Sequence, residues 1–306
     1  MPGPSAAPDR SVGPLQHAPP AGRLGYTCDP GPGLTGVEMM RLAVLSDIHG
    51  NLPALEAVLA DVTRRGADGI INLGDSVSGP LMASATAGYL MQQAWVQIAG
   101  NHDRNLVSIP PVELGLSDAH AYAELSQEAL DWLARLPPVT ALDGKLLLIH
   151  GTPARDTECL LETVVRGAPR LATPTEIARR LGTVESPVVL CGHSHIPRSV
   201  RTPTGRLLVN PGSVGLQAYE HDDPEYHTME TGAPDARYAV VEERGSGWLV
   251  ELISVPYDHR TVVDLANRNG RPDWATALAT GTFSPASSLL KPIQGASPPP
   301  DRLTID

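Results

Sequence analysis

Five short clusters of Asp, His and Asn each follow an apolar run directly, and this repeated placement constrains the chain more than any other feature. They are Asp47-Ile48-His49-Gly50-Asn51, Gly74-Asp75, Gly100-Asn101-His102-Asp103, His150-Gly151 and Gly192-His193-Ser194-His195. The runs before them, at 42–46, 69–73, 94–98, 145–149 and 188–191, have the length and apolar content of buried strands. In α/β sheets, ligand sites form just beyond the carboxyl ends of strands. Strands ending in Asp, His and Asn beside glycine therefore predict side chains converging on one crevice, with glycine permitting tight turns and close backbone approach.

Helix signals alternate with these strands. Asn51 can cap a helix in which Leu52, Leu55, Val58, Leu59 and Val62 share one face, and Gly66 can end it. A helix is expected over 125–136 with Ser126 as its cap. Thr173, Pro174 and Glu176 open another through a capping box. An Asp143-Gly144 turn leads into the strand at 145–149. After residue 191 the pattern changes to hairpins: 199–202 with 206–209, and 238–242 with 249–253. Residues 259–280 read as one or two closing helices, and the Pro-rich stretch from 291 as a loose tail.

Residues 1–38 are rich in Pro, Gly and Ala without periodicity, and cannot bury enough apolar surface to offset their ordering entropy. Two readings stay open, a disordered arm or a start assigned too early, since Met39 and Met40 stand directly before the first strand. The expected division is thus an arm at 1–38, a catalytic-type domain at 40–258 and a C-terminal helical extension with a tail at 259–306. The formal net charge of −11 argues against an extended nucleic-acid footprint, which needs a basic surface. It leaves room for a small phosphorylated substrate, because bound cations would add local positive charge. Cys28, Cys159 and Cys191 are odd in number and far apart, so no disulfide framework is expected and a cytoplasmic location is favoured. No apolar run reaches membrane-spanning length, and no membrane partner is expected.

Carboxylate, imidazole and amide oxygen without thiolate suit divalent ions such as Mn, Fe, Co, Ni or Zn, with Mn favoured here. Seven such groups are too many for one ion and fit two that share a carboxylate. A pair of this kind binds phosphate oxygens and generates hydroxide near neutral pH.

The ordered series DxH, GD, GNHD, HG and GHSH resembles the calcineurin-like metallophosphoesterase superfamily, and within it the small bacterial phosphodiesterases. The likeness runs from about residue 42 to 215 and extends through Asn210-Pro211-Gly212-Ser213. It implies an α/β fold, a four-layer αββα sandwich with two mixed β-sheets. It implies that Asp47, His49, Asp75 and His195 hold one divalent ion, and that Asp75, Asn101, His150 and His193 hold the other, with Asp75 as bridge. His102 would protonate the leaving oxygen and Asp103 would orient it. The activity implied is hydrolysis of a phosphate ester, foremost a phosphodiester, by a metal-bridging hydroxide. Phosphomonoesterase, nucleotide pyrophosphohydrolase and nuclease stand as alternatives, and a binding scaffold would require lost ligands, which are all present here. A homo-oligomer is left open. In the acidic stretch 219–227, His221 and His227 read foremost as part of a solvated loop, with a third metal site or a substrate lid as the alternatives, and Cys191 reads as core packing. His17, His120 and His259 receive no role.

Overall fold

Strand β1 (Arg41–Leu45) is buried beyond its first residue, as a central strand covered on both faces must be. The computed structural model describes residues 40–245 and 247–283; the arm at 1–38 and the chain beyond 283 lie outside the described residues. Helix α1 (Leu52–Arg65) follows. Asn51 caps it, its side-chain oxygen accepting from the Ala54 N–H at 3.2 Å, and Gly66 ends it in the left-handed conformation. Ala54, Leu55, Val58 and Val62 are its buried face, and β2 (Gly69–Asn72) returns parallel to β1. Helix α2 (Ala83–Leu90) then leads into a two-residue β3 (Val96–Gln97), parallel to β2. Helix α3 (Asn101–Ser108) begins inside the third polar cluster, and a 3-10 turn at Pro111–Glu113 precedes α4 (Leu116–Glu124) and α5 (Gln127–Leu133). Ser126 caps α5 by accepting from the Ala129 N–H.

Strands β4 (Val139–Leu142) and β5 (Leu146–Ile149) form a hairpin around Asp143-Gly144. A second hairpin, β6 (Glu162–Val165) with β7 (Ala168–Leu171), precedes α6 (Pro174–Leu181), which opens on the Thr173–Glu176 capping box. Strands β8 (Val188–Leu190), β9 (Arg198–Arg201) and β10 (Leu207–Asn210) follow. The hairpin β11 (Ala218–His221) and β12 (His227–Glu230) occupies the acidic stretch. Long strands β13 (Ala236–Arg244) and β14 (Gly247–Val255) pair with Tyr238 opposite Ile253 and Glu242 opposite Leu249, the register expected from sequence. Helices α7 (Arg260–Arg268) and α8 (Pro272–Thr280) close the described chain.

The strands form two five-stranded mixed sheets, ordered β14-β13-β1-β2-β3 and β4-β5-β8-β10-β9. Leu42, Val44, Ile71 and Leu73 from the first meet Leu146, Leu148, Leu190 and Val209 from the second in one buried cluster. Each such side chain contributes roughly 1.5–3 kcal/mol by leaving water. On the outer face of the first sheet Ala43, Leu45, Tyr238 and Val240 pack on α1, and on that of the second Val189 and Leu208 pack on α6 through Ile177 and Leu181. The result is the four-layer αββα sandwich. Helices α7 and α8 share a further cluster with Leu81, Leu216 and Ala218, so their packing is continuous with the domain. Among the described residues no helix is long and apolar enough to cross a membrane.

Candidate metal centre

All five polar clusters lie at one edge of the sandwich, where β1, β2 and β3 of one sheet and β5 and β8 of the other end. Backbone bonds lace their loops together: the Asp47 N–H donates to Gly74 O at 2.9 Å, and the His49 N–H to Asp75 O at 3.0 Å. Asp47, His49, Asp75, His193 and His195 all adopt positive φ, between 52° and 68°. For non-glycine residues such backbone costs on the order of 1–3 kcal/mol each and persists only where the surroundings over-determine it. Two glycines make the convergence possible. A Cβ at Gly100 would strike the Asp75 carboxylate, and one at Gly192 would strike the Ser46 hydroxyl and come within 3.0 Å of Asp47.

The side chains fall into two buried groups, Asp47 with His49 and His195, and Asp75 with His150 and His193; within each group the ligand atoms lie within 4.8 Å of one another. The imidazoles are oriented from behind. His49 Nδ1 lies 2.8 Å from Ser78 O, His150 Nδ1 2.8 Å from Leu73 O and His195 Nδ1 2.7 Å from Leu216 O. A carbonyl only accepts, so each Nδ1 carries a proton and each Nε2 faces the crevice. There His49 Nε2 and His195 Nε2 stand 3.2 Å apart, His195 Nε2 is 3.3 Å from Asp47 Oδ1, and His150 Nε2 is 3.1 Å from Asp75 Oδ2. The two groups adjoin, with His150 Nε2 3.8 Å from Asp47 Oδ1.

Three of these atoms, Asp47 Oδ1, Asn101 Oδ1 and His150 Nε2, are buried without a hydrogen-bond partner. Buried polar atoms are normally satisfied, so two open oxygens and an unpartnered imidazole nitrogen converging here point to cations as their partners. The protonation states agree. Burial penalises the charge of Asp47, yet His195 and His150 beside it hold its carboxyl at about 2. Burial also opposes a charged His150, but Asp75 and Asp47 outweigh it and lift the imidazole to about 10. Burial, reinforced by neighbouring His195 and His150 respectively, pushes His49 down to about 4 and His193 to about 3. Without metal, one imidazole thus holds a proton against the carboxylates and two remain neutral donors. The two groups fit a dinuclear centre of divalent ions.

His102 lies beside this centre with Nδ1 2.7 Å from Asp118 Oδ1. Burial works against its charge, but Asp75 and the bond to Asp118 raise it to about 9. The expectation that Asp103 orients this ring is corrected. Asp103 is fully buried and accepts from the Ser76 and Gly100 N–H groups, both at 3.0 Å, tying the start of α3 to the loop after β2. Burial and nearby Asp75 raise its carboxyl to about 6. The orienting carboxylate is Asp118 on α4, which also accepts from Ser78 Oγ at 2.5 Å and Asn105 Nδ2 at 3.2 Å. Asp118 follows no strand and sits in no glycine-bearing cluster, so nothing in the sequence marks it.

The acidic stretch is likewise more than a solvated loop. Tyr219 packs edge-on against His195 at 4.7 Å between ring centroids, and its hydroxyl donates to His193 O at 3.0 Å. His221 and His227 face each other across the hairpin at 5.9 Å. Trp274 of α8 backs His49 at 5.8 Å. These walls enclose a cavity of about 780 Å³ that contains His49, Asn101 and His102 and runs out between α4, β11 and α8. A second cavity of about 320 Å³, containing Arg155, Arg179 and His227, shares Thr157, His193, Tyr219 and His221 with the first.

Comparisons with known proteins agree with this architecture. An uncharacterized protein of Methanocaldococcus jannaschii is 25% identical over 250 residues, which are 76% of this chain and 94% of that protein. The crystal structure of a metallophosphoesterase from Sphaerobacter thermophilus superimposes with a TM-score of 0.63 at 26% identity, covering 79% of this chain and 99% of that one. Residues 40–233 match the family model of the calcineurin-like phosphoesterase superfamily domain, and the chain belongs to that superfamily.

Proposed function

We propose that this chain hydrolyses a small phosphodiester with two divalent cations, Mn foremost. The observation that carries the diester reading is the pair of cavities meeting at His193. A diester has two organic arms to house, whereas a monoester has one. In this reading Asp47, His49, Asp75 and His195 hold one cation, and Asp75, Asn101, His150 and His193 hold the other. When bound, the cations lower the pKa of water and draw charge from the phosphoryl oxygens.

The protein's own contribution is orientation and proton supply. Carbonyl partners fix three imidazoles with Nε2 inward, so little freedom is lost when the ligands engage. His102, held by Asp118 and protonated at neutral pH, is placed to give a proton to the departing alkoxide from its other nitrogen. Tyr219 and Trp274 close the crevice around the ligands, which strengthens every charge interaction inside it. The test is a screen of mono- and diesters against protein stripped of metal and reloaded with Mn, Co, Ni, Zn or Fe. Diester turnover that requires reloading supports the reading; turnover confined to monoesters assigns a phosphomonoesterase instead.

A further inference from the structure

Charge is unevenly distributed around the larger cavity. Outside the two ligand groups its described lining carries four carboxylates, Glu113, Asp118, Glu220 and Asp273, and no lysine. The one guanidinium among these residues, Arg271, is already engaged. Its Nη2 lies 2.6 Å from Asp273 Oδ2, its Nη1 donates to Ser117 Oγ at 2.9 Å, and its Cζ sits 5.6 Å from the Trp274 ring. His102 is likewise engaged, with Nδ1 2.7 Å from Asp118 Oδ1. The outer part of the cavity, between the turn before α4, strand β11 and α8, is therefore acidic, and Leu116, Leu216 and Phe283 supply apolar surface between the carboxylates. The smaller cavity is more balanced, with Arg155, Arg179 and Arg180 beside Glu158, Glu162 and Asp223 in its lining.

His102 stands in the acidic cavity, so the bond that breaks must face it. In the reaction water adds to phosphorus, the bond to the alcohol oxygen breaks, and that oxygen takes a proton from His102, which is restored from solvent. On this reading the departing alcohol would leave through the acidic cavity, away from the residues that would hold the cations.

Resting on the phosphodiesterase reading, we propose that the leaving alcohol is neutral or cationic and carries no phosphate of its own. A second phosphate in the outer cavity would meet like charge with no guanidinium or ammonium free to receive it among the described residues, and repulsion of this kind selects against a substrate. Nucleoside polyphosphates are thereby disfavoured as substrates, since their leaving group is itself a phosphate.

The experiment uses the full chain reloaded with Mn and six esters. Choline, glycerol and glycerol phosphate are each presented as the phosphate monoester and as the diester with glycerol. Turnover is followed as release of the named alcohol, distinguished from release of the shared glycerol arm by identifying the products. The expected order of kcat/KM is choline at or above glycerol, and glycerol phosphate lower than glycerol by roughly tenfold or more at low salt, narrowing as salt screens the walls. Glu113→Lys, an exposed position in the 3-10 turn, should close part of that gap by raising the phosphorylated substrate relative to glycerol. Turnover of the monoesters alone in the same order would remove the diester reading and keep the charge rule. Equal rates for glycerol and glycerol phosphate, or a gap insensitive to both salt and Glu113→Lys, would overturn the charge rule with the diester reading intact. Failure to hydrolyse any of the six overturns both.

Discussion

His102 holds its Nδ1 2.7 Å from a carboxylate that two other side chains also bond, so the ring has one orientation and its second nitrogen is committed to the cavity. Asp118→Asn keeps the shape but loses the bonded charge that, together with Asp75, raises the imidazole to about 9. Partners of this kind are typically worth about 10–100-fold, so kcat on an alkyl ester should fall by that much with metal content unchanged. Asp103→Asn should behave differently. It replaces an acceptor of two backbone N–H groups with an amide that can accept on one side only, and should lower the melting temperature more than it lowers kcat in the surviving fold. His102→Ala removes the proposed acid itself. On an alkyl ester, where the alkoxide needs a proton, a loss of about 10²–10⁴-fold is expected; on a nitrophenyl ester, which leaves well unaided, the loss should be clearly smaller. Equal losses on the two esters would show that His102 does not donate the proton. Both carboxylates sit close to His102 in space, and only the one adjacent in sequence could be noticed without the fold.

The loops carrying the ligands are elements of unusual economy, since Gly100 and Gly192 let neighbouring strand ends come into contact. Gly100 has φ −88°, which any residue tolerates, so Gly100→Ala isolates the steric effect of one methyl group on the Asp75 carboxylate. Overpacking of this kind costs about 1–3 kcal/mol. Reduced metal retention by elemental analysis, alongside a lowered melting temperature, is the expected outcome; retention equal to wild type would show that the Asp75 carboxylate can move. Helix α8 tests another link. Trp274 fills the space behind His49 and Gly79, and Trp274→Ala should destabilise by roughly 3–5 kcal/mol and weaken the ion held by His49 more than the ion held by His150. Local elements of this fold were legible wherever a short-range signal governs them. The caps at Asn51, Ser126 and Thr173, the turn at Asp143-Gly144 and the β13–β14 register all follow from neighbouring residues. Helices α2 and α4 carry no comparable side-chain cap and were not foreseen, and the β11–β12 hairpin is masked by its charge.

At the scale of the whole molecule, strand order is what sequence pattern alone cannot supply. Strand β1 pairs with β13 almost two hundred residues later, and β5, β8 and β10 form a separate sheet, because apolar strands look alike until they are packed. The two-sheet sandwich was expected only through the family resemblance. What the sandwich achieves is electrostatic: Asp75 arrives from one sheet and His150 from the other, and they meet fully buried 3.1 Å apart. This makes the metal-free fold depend on a proton. His150 has its usual value of 6.5 in the unfolded chain and is lifted to about 10 in the folded one. A raised folded-state value means that the stabilisation is fully present below pH 6.5 and is lost as pH rises towards 10. His49 and His193 are shifted the other way and affect stability only as pH falls below 6.5, so they do not act in that window. Metal-free protein should therefore melt at progressively lower temperature between pH 6.5 and 9. His102, lifted from 6.5 to about 9, adds to the same slope. Metal-loaded protein has the His150 proton replaced by a cation and should keep only the shallower His102 part, and its metal affinity should rise with pH as the displaced proton becomes easier to lose. Calorimetric titration with Mn at pH 7 in buffers of different ionisation enthalpy should detect about one proton released from His150 as the centre fills. A metal-free profile no steeper than the metal-loaded one, with no proton released on loading, would show that His150 is already neutral in the empty fold.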